Sequence, residues 1–332
     1  MAGMGIGLPV RMLVFQAVLS SPEAKRMDGP NLVDAERSTP APLAADERAA
    51  GRIGIAWMVL TTLFFVSQDA CTRVLLQSYP LMEVAWGRYA VHMALAALFV
   101  GWRMPHLMRS RRLPLQLVRS ALLLAITLLA STAFGMLPFV DVTAILTLTP
   151  VLITALSVPL LGETVGWRRW LGVLAGLGGA MMIVGPASGA FHWAVALPLG
   201  AVVANALYQI VTRKLSGSDR QPTTFFYTSL VGTVVCTAAL PFVWVTPDAA
   251  GWALMILLGA LGAASHFCLI RAFTAAPAAT VAPFGYTTLI WANLFGVLAF
   301  GELPSAATLA GAAVIVASGT YIFYREQVRR PR

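Results

Sequence analysis

Charge is what this sequence has least of. Only 11 % of its 332 residues are Asp, Glu, Lys or Arg, against about a quarter in soluble domains. With 58 % apolar residues and a mean hydropathy of +0.77, there is no soluble core to look for, and a polytopic membrane protein is expected. Lysine is nearly absent: Lys25 and Lys214 stand against 21 arginines. Neither sits in the middle of an apolar run, which argues against a retinal-type Schiff base. Cysteine is scarce too. Cys71, Cys236 and Cys268 all fall inside apolar runs, so no disulfide framework and no metal-ligand spacing is expected. Strict polar/apolar alternation is missing, which argues against a β-barrel and for helices. No CxxC, HExxH, P-loop, Rossmann fingerprint or Ser-His-Asp arrangement stands in a credible context. Neither a cofactor nor an ATPase domain is expected, so any pumping is secondary.

What remains is a series of long apolar runs. A spanning helix needs about 20 mostly apolar residues. The sequence predicts helices near 53–76, 81–100, 117–137, 140–161, 168–185, 192–214, 222–245, 250–272, 279–300 and 304–324. Connections at 77–80, 138–139, 162–167 and 301–303 are short, so neighbouring helices form antiparallel hairpins. Residues 1–52 differ in character. Met12–Ser20 is apolar but too short to span, and 21–52 are rich in Pro, Ala, Asp, Glu and Arg. A flexible cytosolic extension is expected there, with Met27 a competing start and a cleaved targeting peptide the other reading.

Basic residues lie in alternate loops. Arg103, Arg109, Arg111, Arg112 and Arg119 share one loop. Arg168 and Arg169 follow on the same side, then Arg213, Lys214 and Arg220, then Arg271, and finally Arg325, Arg329, Arg330 and Arg332. The opposite loops carry neither Arg nor Lys. This is the positive-inside pattern, and it makes the net charge of +9 a membrane signal and not a nucleic-acid one. Both termini are expected in the cytoplasm, with residues 327–332 a basic tail. Ten spans satisfy that.

The chain also repeats itself. Gly301-Glu302 follows Gly162-Glu163 by 139 positions, and Gly172 and Gly311 each follow their Glu by nine. Five helices fall in each copy, over 53–185 and 192–326. Five is odd, so the second copy enters from the opposite side and the halves form an inverted pair.

Polar residues inside spans are costly and mark cavities or partner helices. Asp69 and Arg73 are spaced i,i+4, as an intrahelical ion pair or a cavity pair. Glu83 is expected to snorkel at the interface. Arg88, with His92 a turn on, is a structural anchor or a substrate contact. Asn205, Tyr208 and Gln209 share one face, as an interhelical hydrogen-bond cluster or a cavity wall. His266 is a buried histidine or a proton relay, and Asp69 is a second proton-coupling candidate. Tyr286 and Trp291 fill the core or stack a planar ligand. Glu163 and Glu302 are expected to sit on the N-terminal dipole of the helix that follows each turn. Gly172, Gly176 and Ala180 allow close approach, as do Gly259 and Ala263.

The Leu161-Gly162-Glu163 and Phe300-Gly301-Glu302 turns resemble EamA repeats of the drug/metabolite transporter superfamily. So do Asp69 and Arg73, Tyr79-Pro80 with Glu83 and Arg88, Pro283-Phe284-x-Tyr286, and Gly319-x-Tyr321 with Arg325-Glu326. The resemblance covers about 53–326. It implies ten helices around a central cavity and alternating access of a small organic solute at the inner membrane. Amino acids, S-adenosylmethionine, riboflavin and exported metallophores are carried by similar members. The substrate-facing residues expected are Arg88, Asn205, Tyr208, Gln209, His266, Tyr286 and Trp291, in a cavity lined by spans 1, 3, 4, 6, 8 and 9. A homodimer is compatible with this reading. The competing readings are an intramembrane lipid-modifying enzyme and a non-transporting receptor.

Overall fold

A bilayer offers no water to backbone polar groups, so a long apolar run closes its hydrogen bonds within itself. The computed structural model describes residues 41–100, 110–162, 166–184, 193–215, 218–219, 221–276 and 278–329, and all regular structure among them is helical. The helices are α1 (Ala41–Leu75), α2 (Leu81–Val100), α3 (Leu113–Met136), α4 (Phe139–Leu146), α5 (Thr149–Leu161), α6 (Trp167–Val184), α7 (Ala196–Leu215), α8 (Gln221–Val243), α9 (Ala249–Ala275), α10 (Ala278–Val281), α11 (Thr288–Phe300) and α12 (Ala306–Arg329). Short 3-10 turns cover Trp193–Val195 and Ala282–Thr287.

Eight segments among the described residues are long and apolar enough to cross a membrane: Ala50–Leu75, Leu113–Met136, Phe139–Leu161, Trp193–Thr212, Phe226–Val243, Ala249–Ala275, Pro283–Phe300 and Ala306–Arg325. The helix α6 holds a shorter apolar stretch, Trp170–Ile183. The first helix starts at Ala41, ahead of the expected residue 53. Of the extension expected over 1–52, residues 1–40 lie outside the described residues. So do Arg330–Arg332 of the expected basic tail, and helix α12 runs through the rest of the chain to Arg329.

Two expected helices are interrupted. The 140–161 run breaks at Thr147–Leu148 between α4 and α5, and the 279–300 run carries the 3-10 turn before α11. Proline explains the positions. Pro150 and Pro283 each lie in the first turn of the segment they open, where a missing N–H costs nothing but a continuing helix would lose a bond.

The duplication holds to the residue. Helices α5 and α11 are both 13 residues long and start 139 positions apart. Both end on a left-handed glycine, Gly162 at φ 70° and Gly301 at φ 65°, a conformation glycine adopts without steric cost. Helices α6 and α12 open at Trp167 and Ala306, again 139 apart.

These last two helices cross at glycine. A Cβ at Gly179 would lie 2.7 Å from the Gly311 carbonyl oxygen, and one at Gly311 would lie 2.5 Å from the Gly179 oxygen. The contacts exchange as a two-fold would exchange them. Gly172 meets Ile322 as Gly311 meets Ile183, and Gly176 meets Ser318 as Gly179 meets Ile315. Small residues let backbones approach where apolar lipid gives no hydrophobic drive to associate. Gly179→Val should therefore destabilise the protein by about 1–3 kcal/mol through overpacking. Gly178→Ala, with open space around its Cβ, should be neutral or slightly stabilising. Thermal unfolding of both variants in detergent distinguishes them.

Candidate functional site

The site is built on α2. Three glycines bring its neighbours against it: Gly87 leaves room for Met255, Gly259 packs on Val91 and the Arg88 carbonyl, and Gly232 packs on the Tyr89 ring. Arg88 thus sits where α2 packs against α9. Its guanidinium stands 6.0 Å over the Tyr89 ring. Its charge reaches Asp69 on α1, His92 on α2, Tyr208 on α7 and His266 on α9. The His92 and His266 rings lie 5.8 Å apart, and Phe65 meets His266 edge-on at 5.4 Å. Arg88, Asp69 and His266 are all half-buried. Neither Arg88 nor Asp69 makes a hydrogen bond or an ion pair among the described residues.

Gln68 faces the same junction. It is 1 % exposed, its amide fits only because Gly262 has no side chain, and neither of its polar atoms has a partner among the described residues. His266 lies one turn along α9 from Gly262, on the same face.

Arg119 is the residue that sequence reasoning misplaced. It was counted with the basic loop, but it lies within α3 and is 6 % exposed. Its Nε donates to Thr212 Oγ1 at 2.7 Å. Nη1 donates to the Thr224 carbonyl and to Thr228 Oγ1, and Nη2 donates to the Tyr208 hydroxyl at 2.5 Å. The guanidinium also lies 4.5 Å over the Tyr208 ring. All these acceptors are neutral. Its signal was present in the sequence: Arg119 opens an apolar stretch one turn after Gln116, itself fully buried.

Each interrupted helix is tied to the first helix of the other repeat. Asn205 on α7 donates to Thr149 at the start of α5, at 3.3 Å. Thr62 on α1 bonds Thr287 before α11 at 2.7 Å, and Trp291 donates to Thr62 at 3.2 Å. The Tyr286 hydroxyl, beside Gly319, has no partner among the described residues. So Arg88, Tyr208 and His266 come together with Asp69, whereas Asn205 and Trp291 hold the breaks and Tyr286 packs against α12. Gln209, a turn on from Asn205 and next to Tyr208, is exposed.

Three further expectations are corrected. Arg73 does not pair with Asp69. It forms a two-bond ion pair with Glu302, which also accepts the Phe139 N–H at 2.8 Å, and the guanidinium stacks 4.5 Å over Phe300. Glu302 therefore caps α4 and not the helix that follows it. The N-terminus of α12 is capped instead by Ser305, which accepts from Thr308 N at 3.0 Å. Glu163 lies outside the described residues. Glu83 does not snorkel: it is fully buried and accepts the Val245 N–H at 3.0 Å.

An all-helical, internally duplicated membrane protein with charged groups enclosed between its halves has the build of a solute transporter. The chain belongs to the EamA-like transporter family, which matches residues 52–185 and 192–324. It is 26 % identical to an S-adenosylmethionine uptake transporter of Rickettsia bellii, over 83 % of this chain and 94 % of that one. It is 30 % identical to a riboflavin transporter of Rhizobium johnstonii, over 87 % of this chain and 96 % of that one. It is 27 % identical to the pseudopaline exporter CntI of Pseudomonas aeruginosa, over 79 % and 93 %. A solved crystal structure at 17 % identity superposes with a TM-score of 0.58, covering 86 % of this chain and all of the other, a likeness of fold alone. The chain is a multi-pass membrane transporter of the drug/metabolite superfamily and not an enzyme.

Glu302→Gln should cost about 1–3 kcal/mol, because it leaves the Arg73 charge unpaired and weakens the bond to Phe139. A double-mutant cycle with Arg73→Gln, read by thermal unfolding, should show positive coupling between the two. A pH effect is expected at the α7–α8 turn. Burial pushes Asp219 upward, but hydrogen bonds from Ser110, Gln116 and the Arg111 N–H, with the Arg111 charge, outweigh it and hold the carboxyl below its ordinary value. That stabilisation is present above the ordinary carboxylate pKa and is lost as pH falls through the depressed one. Asp219→Asn should flatten the acid limb of the protein's stability–pH curve.

Proposed function

We propose that this chain is a secondary transporter of a small organic metabolite in the bacterial inner membrane. It would have ten spans, as two inverted five-helix repeats, with both termini cytoplasmic. In this reading α2 and α6 complete the ten beside the eight segments given above. The 1–52 stretch is a cytosolic extension. The basic-loop bias supports the orientation, and the odd helix count per repeat supports the inversion.

One observation carries the reading. Arg88, Asp69 and His266 meet between helices of both repeats, without bonds to one another, beside two helices that are interrupted at equivalent positions. Interrupted helices near mid-membrane are where transporters place their sites. Alternating access would then be movement of one repeat against the other about the Thr149 and Thr287 breaks, with Asn205 and Trp291 holding those breaks and Tyr286 packed against α12. Arg88, Tyr208 and His266 would face the solute, and Asp69 and His266 would be the proton-coupling groups. Gln209, exposed on the same helix face as Asn205 and Tyr208, would face the solute too. The named cargoes of the relatives make S-adenosylmethionine-like and riboflavin-like metabolites the first compounds to try.

The test is transport by purified protein in liposomes, with an imposed pH gradient and a labelled pool of amino acids, nucleosides and vitamins. Accumulation that collapses with the gradient is expected, with Arg88→Gln lowering the initial rate about tenfold or more. Folded protein that moves nothing would contradict the reading.

A further inference from the structure

Two buried or half-buried guanidiniums lie in the site region, Arg88 and Arg119, and they are treated differently. Three acidic side chains of the spanning helices accept hydrogen bonds elsewhere: Glu83 from the Val245 N–H, Glu302 from Arg73 and the Phe139 N–H, and Asp141 from Thr308. Arg119 is held by neutral oxygens on α7 and α8, so its hydrogen bonds are made within the chain. Arg88 is not held in this way. It has a carboxylate within electrostatic reach but no acceptor for its five N–H donors. His92 and His266 add ring nitrogens and no negative charge. The buried Gln68 amide beside them also lacks partners.

A guanidinium in a low-dielectric interior favours a planar, two-oxygen anion that it can bind in a fork. From the unfilled donors of Arg88 and the unpartnered Gln68 amide, and resting on the transporter reading, we propose that the solute carries an acidic group, a carboxylate or phosphate, which docks on Arg88. Gln68 lies within the same junction as a neutral donor. What is selected is the acidic group itself, whatever the net charge of the solute. Solutes of the same shape without it are discriminated against, because they leave the Arg88 donors unfilled.

The test uses matched probes, whatever the native cargo. Binding of glutarate against cadaverine, and of nicotinate against nicotinamide, is measured by the thermal shift of the full-length protein in phosphatidylcholine nanodiscs. The acidic member of at least one pair should stabilise the protein and its partner should not. Arg88→Gln should weaken that binding about tenfold to a hundredfold, and Arg88→Lys should retain part of it. Stabilisation by the cationic or neutral members, no stabilisation by any probe, or an unchanged response in Arg88→Gln would each overturn the proposal. A response to phosphatidylglycerol in the nanodisc, with none to the soluble acids, would assign the charge to a lipid headgroup and overturn it as well. The two readings fail separately. Transport of a compound with no acidic group keeps the transporter and discards the docked acid. Acid binding without transport does the reverse.

Discussion

A charge inside a bilayer must be compensated, and the way this protein handles its arginines organises the rest of the structure. Arg73 is compensated in full, by the Glu302 carboxylate and the Phe300 ring. Arg119 is solvated by hydroxyls and one carbonyl, which satisfies its geometry but leaves its charge. Arg88 is left open. In the reading proposed above, structural anchoring gives way along that series to a group that receives the solute. The desolvation of an unpaired guanidinium is expensive, so an arrangement that keeps one must be held by the surrounding fold.

That holding is done by glycine and by the repeat. Close packing of α2 against α8 and α9 fixes Arg88, and the Gly179–Gly311 crossing fixes α6 against α12. The interrupted helices are attached by side chains to the opposite repeat, Asn205 to Thr149 and Thr62 to Thr287. Under the proposed alternating access, these bonds are a physical route by which a rearrangement of one half would act on the break in the other. Helix interruptions are tolerated here because Thr147, Thr149, Thr287 and Thr288 return hydrogen bonds to carbonyls freed near the breaks.

The duplication was legible in the sequence to single-residue accuracy, because Gly162 and Gly301 must both adopt positive φ and so cannot drift between copies. Helix existence was equally legible, since hydropathy alone decides it. The pairing of charges was not. Asp69 and Arg73 satisfy the i,i+4 rule on one helix, yet Arg73 reaches a carboxylate 229 positions away, and no local pattern carries that contact. Arg119 was hidden by its neighbours, since a buried arginine beside a basic loop reads as part of the loop. For the Asn205–Tyr208–Gln209 face, spacing gives relative positions on a helix, but only packing supplies the partners: Asn205 donates to Thr149 and the Tyr208 hydroxyl accepts from Arg119.

The most direct measurement is of the two ends at once. Spin labels at Ser78 and Ser305 report one end, and labels at Trp167 and Lys214 report the other, in a background where Cys71, Cys236 and Cys268 are serine. Alternating exposure about the Arg88 cluster predicts two distance populations at each end that change in opposite directions. Glu302→Gln should enrich the state open at Ser78–Ser305. One fixed distance at both ends, unmoved by Glu302→Gln and by any bound acid, would contradict it.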